Sequence, residues 1–483
     1  MPKSVLLIAA AVMALTPAAA QQLRYLNPSD VAEAQRMHAQ LLEELGGAET
    51  GPRAAYVAAV GRRVGAQTGL ANPGQALHFT TINSAVENAF SVPGGYIYVT
   101  RQLMTIMDDE AELAFAIGHE AAHVAANHAH IREQYAQRSS YGVLGGILGA
   151  IFGDNFFGGL IQQRAQMDTL RFSREQEYQA DYLGVRYLIG AGYDPVGGSE
   201  MLAALSRQTA LQARVQGRTN RQTPEWASTH PLSENRMQRA LLDARSTGQL
   251  GRGIRNRDGF LAQLDGVYVD DDPAQGIIDG ASFTHPDLRI QFSVPQGYLM
   301  SNGTDAVTIS GSAGKAQFRG GQFTGSIDQA VLLAFRSFTR GQSNFPVPPP
   351  RRVTINGMPA AITTARANSS SGAVDVSVAA YQWDARRVYY FVMLTPAGYG
   401  VGPFVPMINS LRRITPAEAA AIRPRIIRVV NVGPTDTIQS LSSRMAYRDF
   451  RVERFLSLNG LTVGSRLLPG QKVKLIIYGP RRA

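Results

Sequence analysis

His119-Glu120-Ala121-Ala122-His123 constrains this chain more than any other stretch, because two imidazoles four residues apart on a helix share one face and can grip a single metal ion. Glu120 then stands beside the ion, free to take a proton from a bound water. Metal-assisted hydrolysis of a peptide bond needs that division of labour. A helix is the expected scaffold. Ala111 to His130 is rich in Ala, Leu, Glu and His, its one glycine is Gly118, and Asp108-Asp109 supplies a start signal just upstream. Two His on a catalytic zinc leave places for one more protein ligand and a water. Ser173 to Asp181 supplies the candidate, Glu177, one helical turn before Asp181, while Glu175 points elsewhere. In this reading His119, His123 and Glu177 hold one zinc ion per chain. Asp181 accepts the free ring N–H of a ligand imidazole and fixes its tautomer.

Asn88-Ala89-Phe90-Ser91-Val92-Pro93-Gly94-Gly95, followed by Tyr96-Ile97-Tyr98-Val99, reads as a strand, a tight turn and a second strand. Its edge, with Asn88, Ala89, Phe90, Gly94 and Gly95, is a candidate for pairing with an extended substrate peptide; the alternative is a hairpin that only packs on the helix. The metal-binding helix, the Glu-x-x-x-Asp helix and this segment together resemble the zinc metallopeptidases of the HtpX and CAAX-protease type, small gluzincins. The likeness covers roughly residues 26–242, and among soluble members it looks closest to the BepA-like periplasmic type. The resemblance implies polypeptide substrates and a quality-control role on misfolded or unassembled envelope proteins. It also extends to Ser228-Thr229-His230-Pro231 and Arg236. There His230 or Arg236 stabilises the oxyanion, or His230 closes the resting zinc as a fourth ligand; a structural His-Pro turn is the plain alternative. His128 and His130 read as helix-end or supporting groups, and His38, His78 and His285 carry no metal spacing.

Met1 to Ala20 has Lys3, an apolar run from Val5 to Leu15 and then Ala18-Ala19-Ala20, the pattern of a secretory signal peptide cleaved before Gln21. The periplasm is the compartment this implies. The chain has no Cys, so its 483 residues must build packed cores without disulfides. A net charge of +10, nearly all from Arg, favours anionic membrane surfaces or cell-wall polymers, and no nucleic-acid motif accompanies it. Peripheral membrane contact and peptidoglycan are therefore partner classes to consider, and the resemblance to the BepA-like type adds outer-membrane assembly components.

Tyr141 to Ile161 is apolar and glycine-rich with Asp154 its one charge, which argues for a lid or core hairpin rather than a membrane span. The organisation expected is multidomain. After the signal segment at 1–20 comes a mainly α-helical zincin unit with a small β-hairpin at 21–265. A linker follows at 266–282, then an α+β domain at 283–414 with a hairpin turn at Ile355-Asn356-Gly357-Met358. Residues 425–479 resemble a LysM domain, a small β-α-α-β fold, through Arg428-Val429-Val430-Asn431-Val432, Asp436-Thr437-Ile438 and Leu468-Pro469-Gly470-Gln471. The usual Gly-Asp-Thr opening is displaced there to Gly433-Pro434-Thr435-Asp436-Thr437, in a loop that the resemblance assigns to a glycan groove.

Overall fold

The structure, a computed structural model, describes residues 24–129, 172–215, 230, 234–338, 346–369 and 372–481. Residues 1–20, read from the sequence as a signal peptide, Tyr141 to Ile161, His130 and most of the stretch around His230 lie outside the described residues. The first unit contains α1 (Pro28–Glu44), α2 (Pro52–Gly65), α3 (Pro73–Ala76), β1 (His78–Ile82), β2 (Ala89–Val92), β3 (Tyr96–Thr100), α4 (Arg101–Ile106) and α5 (Glu110–Ala125). It continues with α6 (Arg174–Gly190), α7 (Val196–Val215), α8 (Glu234–Ser246) and α9 (Arg257–Leu264). Its sheet has the order β1-β3-β2, with β1 parallel and β2 antiparallel to the central β3.

Helix α5 is the axis of this unit. Asp109 caps it, its carboxylate accepting from the backbone N–H of Ala111 and Glu112 at 2.9 and 3.2 Å. Nearly every side chain along it is buried, as its all-round Ala, Leu, Phe and Ile require. Small residues let its neighbours come close. A Cβ on Gly184 of α6 would meet the Phe115 ring at 3.2 Å and His119 N at 3.4 Å, and one on Gly197 of α7 would meet Ala111 at 2.8 Å.

The segment 266–282 carries β4 (Tyr268–Val269), a 3-10 turn and β5 (Ile277–Asp279). Fully buried Arg101 holds it, donating to Asn83 Oδ1 at 2.6 Å and to the carbonyls of Tyr268 and Asp270 at 2.7 Å. The middle region has two packed antiparallel sheets. One is seven-stranded, ordered β11-β12-β13-β14-β10-β9-β8, from β8 (Leu299–Asn302), β9 (Val307–Gly311), β10 (Gly314–Gln322), β11 (Arg351–Ile355), β12 (Met358–Ser369), β13 (Gly372–Gln382) and β14 (Arg387–Pro396). The other joins β5 to β6 (Ser282–His285), β7 (Ile290–Ser293) and β15 (Arg412–Arg413). Phe292 meets Phe318 and Phe391 between them, with ring centroids 4.9 and 5.1 Å apart. Helix α10 (Ile327–Phe338) covers the opposite face of the larger sheet through Val331 and Phe335. Asn356 and Gly357 take φ of 49° and 76°, the paired positive values that a two-residue hairpin demands.

The last unit runs β16 (Arg425–Asn431), α13 (Ile438–Ser442), α14 (Arg451–Leu458) and β17 (Lys472–Tyr478), after the short helices α11 (Val405–Ser410) and α12 (Pro416–Ala421). Its sheet takes β4 as a third strand, in the order β17-β16-β4. Phe455, Leu458, Val473 and Leu475 share one hydrophobic core with Leu103, Met107 and Leu113 of the first unit. Lys474 pins the junction. Its fully buried ammonium donates to the carbonyls of Thr105, at 3.0 Å, and Met107, with Asp108 at 3.4 Å. Lys474→Ala takes the ammonium away from the carbonyls of Thr105 and Met107, leaves Asp108 with Arg257 at 3.4 Å, and is expected to cost about 3 kcal/mol. Hydrogen exchange should show α4 and β17 losing protection together; a loss confined to β17 would contradict the shared core.

Candidate metal centre

His119 and His123 lie one turn apart on α5, both buried, with their Nε2 atoms 3.0 Å apart. Helix α6 is started by a reciprocal cap between Ser173 and Gln176. It crosses α5 where Gly118 faces Gly184, with 3.6 Å separating the Cβ position of the first from Cα of the second. That close crossing brings buried Glu177 and Asp181 against the imidazoles. Glu177 oxygens stand 3.5 Å from His119 Nε2 and 3.6 Å from His123 Nε2. His230, just before α8, turns Nδ1 to the same point, 3.3 Å from His119 Nε2 and 3.0 Å from Glu177 Oε1.

These four donor atoms lie within 4.8 Å of one another. A tetrahedral ion with bonds of about 2.0–2.1 Å sets neighbouring donors roughly 3.3 Å apart. The observed 3.0–3.6 Å separations bracket that edge, so the residues fit such an ion. Imidazole nitrogens with a carboxylate oxygen are donors suited to zinc.

The supporting contacts fix which nitrogens face inward. His119 Nδ1 is 3.0 Å from Asp181 Oδ1, so the ring N–H donates to Asp181 and Nε2 offers its lone pair to the centre. His123 Nδ1 is 2.9 Å from His128 Nδ1, and His128 Nε2 is 3.1 Å from Gln179 Oε1. The amide oxygen only accepts, so His128 donates through Nε2, receives the His123 Nδ1 hydrogen and leaves His123 Nε2 bare. Arg236 grips Asp181 through Nε and Nη2, both at 2.8 Å, and Glu177 through Nη1 at 2.7 Å. Burial opposes charge on Glu177, but His230 and Arg236 outweigh it and hold its carboxyl well below the usual range. Asp181 is also lowered, because the Arg236 guanidinium overcomes its burial.

Glu120 is fully buried beside the four donors. Its Oε2 accepts from the Ser91 hydroxyl at 3.0 Å, its Oε1 lies 3.4 Å from His230 Nε2, and burial raises its pKa. Ser91 and Ala89 of β2 face α5, while Phe90 faces away and stacks on Tyr98 at 4.8 Å. Asn88 is buried with both side-chain polar atoms unpartnered among the described residues. Gly94 and Gly95 form the turn at φ of 93° and 90°, pressed against Asp30 O and Ala76 O. Phe90, Gly94 and Gly95 thus shape the hairpin, and the donor set forms without them. His128, expected as a helix-end or supporting group, stands behind His123, while sequence reasoning missed Ser91, Gln179 as the partner of His128, and Phe172, whose ring stacks on His123 at 3.8 Å. A second acidic group, Asp109, Glu112 and Glu200, already has the Arg255 guanidinium between Asp109 and Glu200.

Burial disfavours a charged His119, yet its hydrogen bonds with Asp181 and Glu177 outweigh that and raise it to about 9. Burial keeps His123 well below the ordinary value and so neutral. Below about pH 9 metal-free protein therefore holds a proton on His119 that an incoming ion must expel. Zinc affinity should rise roughly tenfold per unit between pH 7 and 9 and then level off, with about one proton released per ion near neutrality. Calorimetric titration in buffers of differing ionisation enthalpy reads this directly. Binding with no proton release would contradict the assignment.

The sequence pattern of peptidase family M48 matches residues 52–243. Over 198 residues the chain is 31% identical to the beta-barrel assembly-enhancing protease of Escherichia coli (strain K12), covering 38% of each protein. It is 33% identical over 190 residues to the mitochondrial metalloendopeptidase OMA1 of Arabidopsis thaliana, covering 37% of this chain and 35% of that protein. The chain thus spans under two-fifths of the length of these relatives. The family match ends before the middle and C-terminal units, so it leaves the LysM-like reading where the sequence put it. It does enclose His119, Glu120, His123, Glu177, Asp181, His230 and Arg236, so the similarity to peptidase family M48 takes in the whole candidate metal centre.

Proposed function

We propose that the chain is a zinc endopeptidase, with one ion held by His119, His123 and Glu177. The observation that carries this is the convergence of those donors with a buried, non-ligating Glu120 alongside. A bound zinc supplies Lewis acidity, which acidifies a water and polarises the scissile carbonyl. Glu120 takes the water's proton on Oε1, the oxygen not held by Ser91, and hands it to the leaving amine nitrogen. Ser91 keeps that carboxylate aimed. Asp181 and Arg236 hold the His119 ring and Glu177 in place. Strand β2 is an edge of its sheet, so an extended peptide can pair with it by main-chain hydrogen bonds next to Glu120, which supports acceptance of many sequences. Asn88, at the head of that strand, has an uncommitted amide to offer such a peptide.

The envelope setting completes the proposal. The chain is exported to the periplasm by its leader and removes misfolded or unassembled envelope proteins. The similarity to the beta-barrel assembly-enhancing protease of Escherichia coli supports a link to β-barrel assembly. No described helix is long and apolar enough to cross a membrane. The LysM-like unit serves peptidoglycan contact. Its Lys and Arg outnumber Asp and Glu nine to three over residues 425–479, which suits an anionic polymer.

One observation favours a second reading, a chaperone-like assembly factor with a latent site: His230 Nδ1 takes its place among the donors, where a fourth protein ligand displaces water. Glu120→Gln separates the two. The variant should keep one zinc per chain while casein cleavage falls by at least ~10²-fold. Undiminished cleavage would defeat the role given to Glu120, and full rescue of envelope function by the inactive variant would favour the latent site. Release of peptides from sacculi, with none from casein, would redirect the substrate to the cell wall.

A further inference from the structure

A solvent-open cavity of about 780 Å³ lies where β4 and its following turn, the β5-β6-β7 sheet and the C-terminal unit meet, built from none of the metal-centre residues. Clefts that take small ligands or short peptides span roughly 300–1,000 Å³. Three carboxylates, Asp270, Asp271 and Asp279, and three guanidiniums, Arg423, Arg425 and Arg448, line it. The charges are equal in number but unequally committed. Asp270 and Asp279 both take Arg425, at 3.2 and 3.0 Å, and Asp270 also accepts from the Tyr447 hydroxyl at 3.2 Å. Asp271 accepts from Ile278 N at 2.7 Å, and burial pushes its carboxyl up to about 7, so it carries only part of a charge at neutrality. Arg425 is used up by its two carboxylates and by the Tyr447 ring, 4.7 Å from its guanidinium carbon. Arg423 and Arg448 are exposed and have no acidic partner among the described residues.

The unmatched charge of the cavity is therefore positive and sits on two planar forks, the geometry that selects a carboxylate or phosphate. A bare anion would use nothing else. Beyond the arginines, Ser282, Thr284 and Gln291 of β6 and β7 line the wall, Ser282 bonded to Ser293 at 2.9 Å and the Gln291 amide donating to Thr284 at 3.1 Å. That leaves the Gln291 amide oxygen and the second lone pairs of the hydroxyls for a ligand, and Ile277 and Ile422 offer apolar surface. Such a wall suits an elongated ligand with main-chain amides, apolar side chains and one anionic end. We propose that this cavity binds the free C-terminal end of a polypeptide, Arg423 and Arg448 gripping its carboxylate while β6 and β7 receive the residues before it. Only the choice of ligand rests on the peptidase reading. Occupancy does not depend on cleavage.

The test is fluorescence anisotropy on the full chain carrying Glu120→Gln, so that no probe is cut, with an N-terminally labelled apolar hexapeptide as free acid and as C-terminal amide. The acid should bind roughly tenfold or more tighter than the amide. Replacing Arg423 and Arg448 together by Ala should abolish the difference, with circular dichroism and zinc content unchanged because both side chains are exposed and unpaired. Equal binding of acid and amide, binding of neither, or an acid preference that survives the double substitution would overturn the proposal. Inorganic phosphate competing as strongly as the peptide acid would overturn it too, since that marks an anion site without peptide reach. Casein cleavage by the native chain is read separately, so either result can fail while the other stands.

Discussion

The close crossing of α5 and α6 is the constraint on which the rest depends. Gly118 and Gly184 let two backbones approach until the one-turn pairs His119/His123 and Glu177/Asp181 face each other as buried groups. Burying that many polar groups is unfavourable unless their charges cancel. Glu120, Glu177 and Asp181 carry three formal negative charges at most, and Arg236 answers one of them. A divalent cation between the imidazoles balances the remainder. Folding thus prepares a site whose electrostatics suit a dication, and the same burial would make the Lewis acidity of such an ion effective.

The rest of the molecule braces this crossing from two sides. The β2-β3 hairpin delivers Ser91 to Glu120, and its turn glycines are held by α1 and the end of α3. At the other end of α5, the C-terminal unit joins the same core and its Lys474 satisfies the carbonyls that end α4. The C-terminal unit is therefore part of the support of the metal-binding helix. Arg101 ties the start of α4 to the carbonyls of Tyr268 and Asp270, and through them to the junction where the cavity opens.

What could be read from the sequence follows the range of the contacts. His119, His123, Glu177 and Asp181 were legible because helical periodicity alone puts each pair on one face. The strands on either side of Asn356-Gly357 were legible because that dipeptide tolerates the left-handed backbone of a hairpin turn. Ser91 was not, since its partner Glu120 is 29 residues away and nothing in a serine marks a distant carboxylate. His128 sits five residues past His123, off the helical face, and meets it only because the chain turns at Asn127, at φ of 56°. Lys474 reads as a solvated strand residue until the carbonyls around it are known. The Asp-rich stretch 270–272 reads as a loose connection, and its order comes from Arg101 and Asn83 far upstream.

X-ray absorption at the zinc edge on purified native protein tests the central claim most directly. One zinc per chain with four nitrogen or oxygen neighbours at about 2.0–2.1 Å, at least two showing imidazole scattering, is the expected result. A site lacking imidazole, as binding at Asp109, Glu112 and Glu200 would give, or protein that holds no transition metal at all, would contradict it.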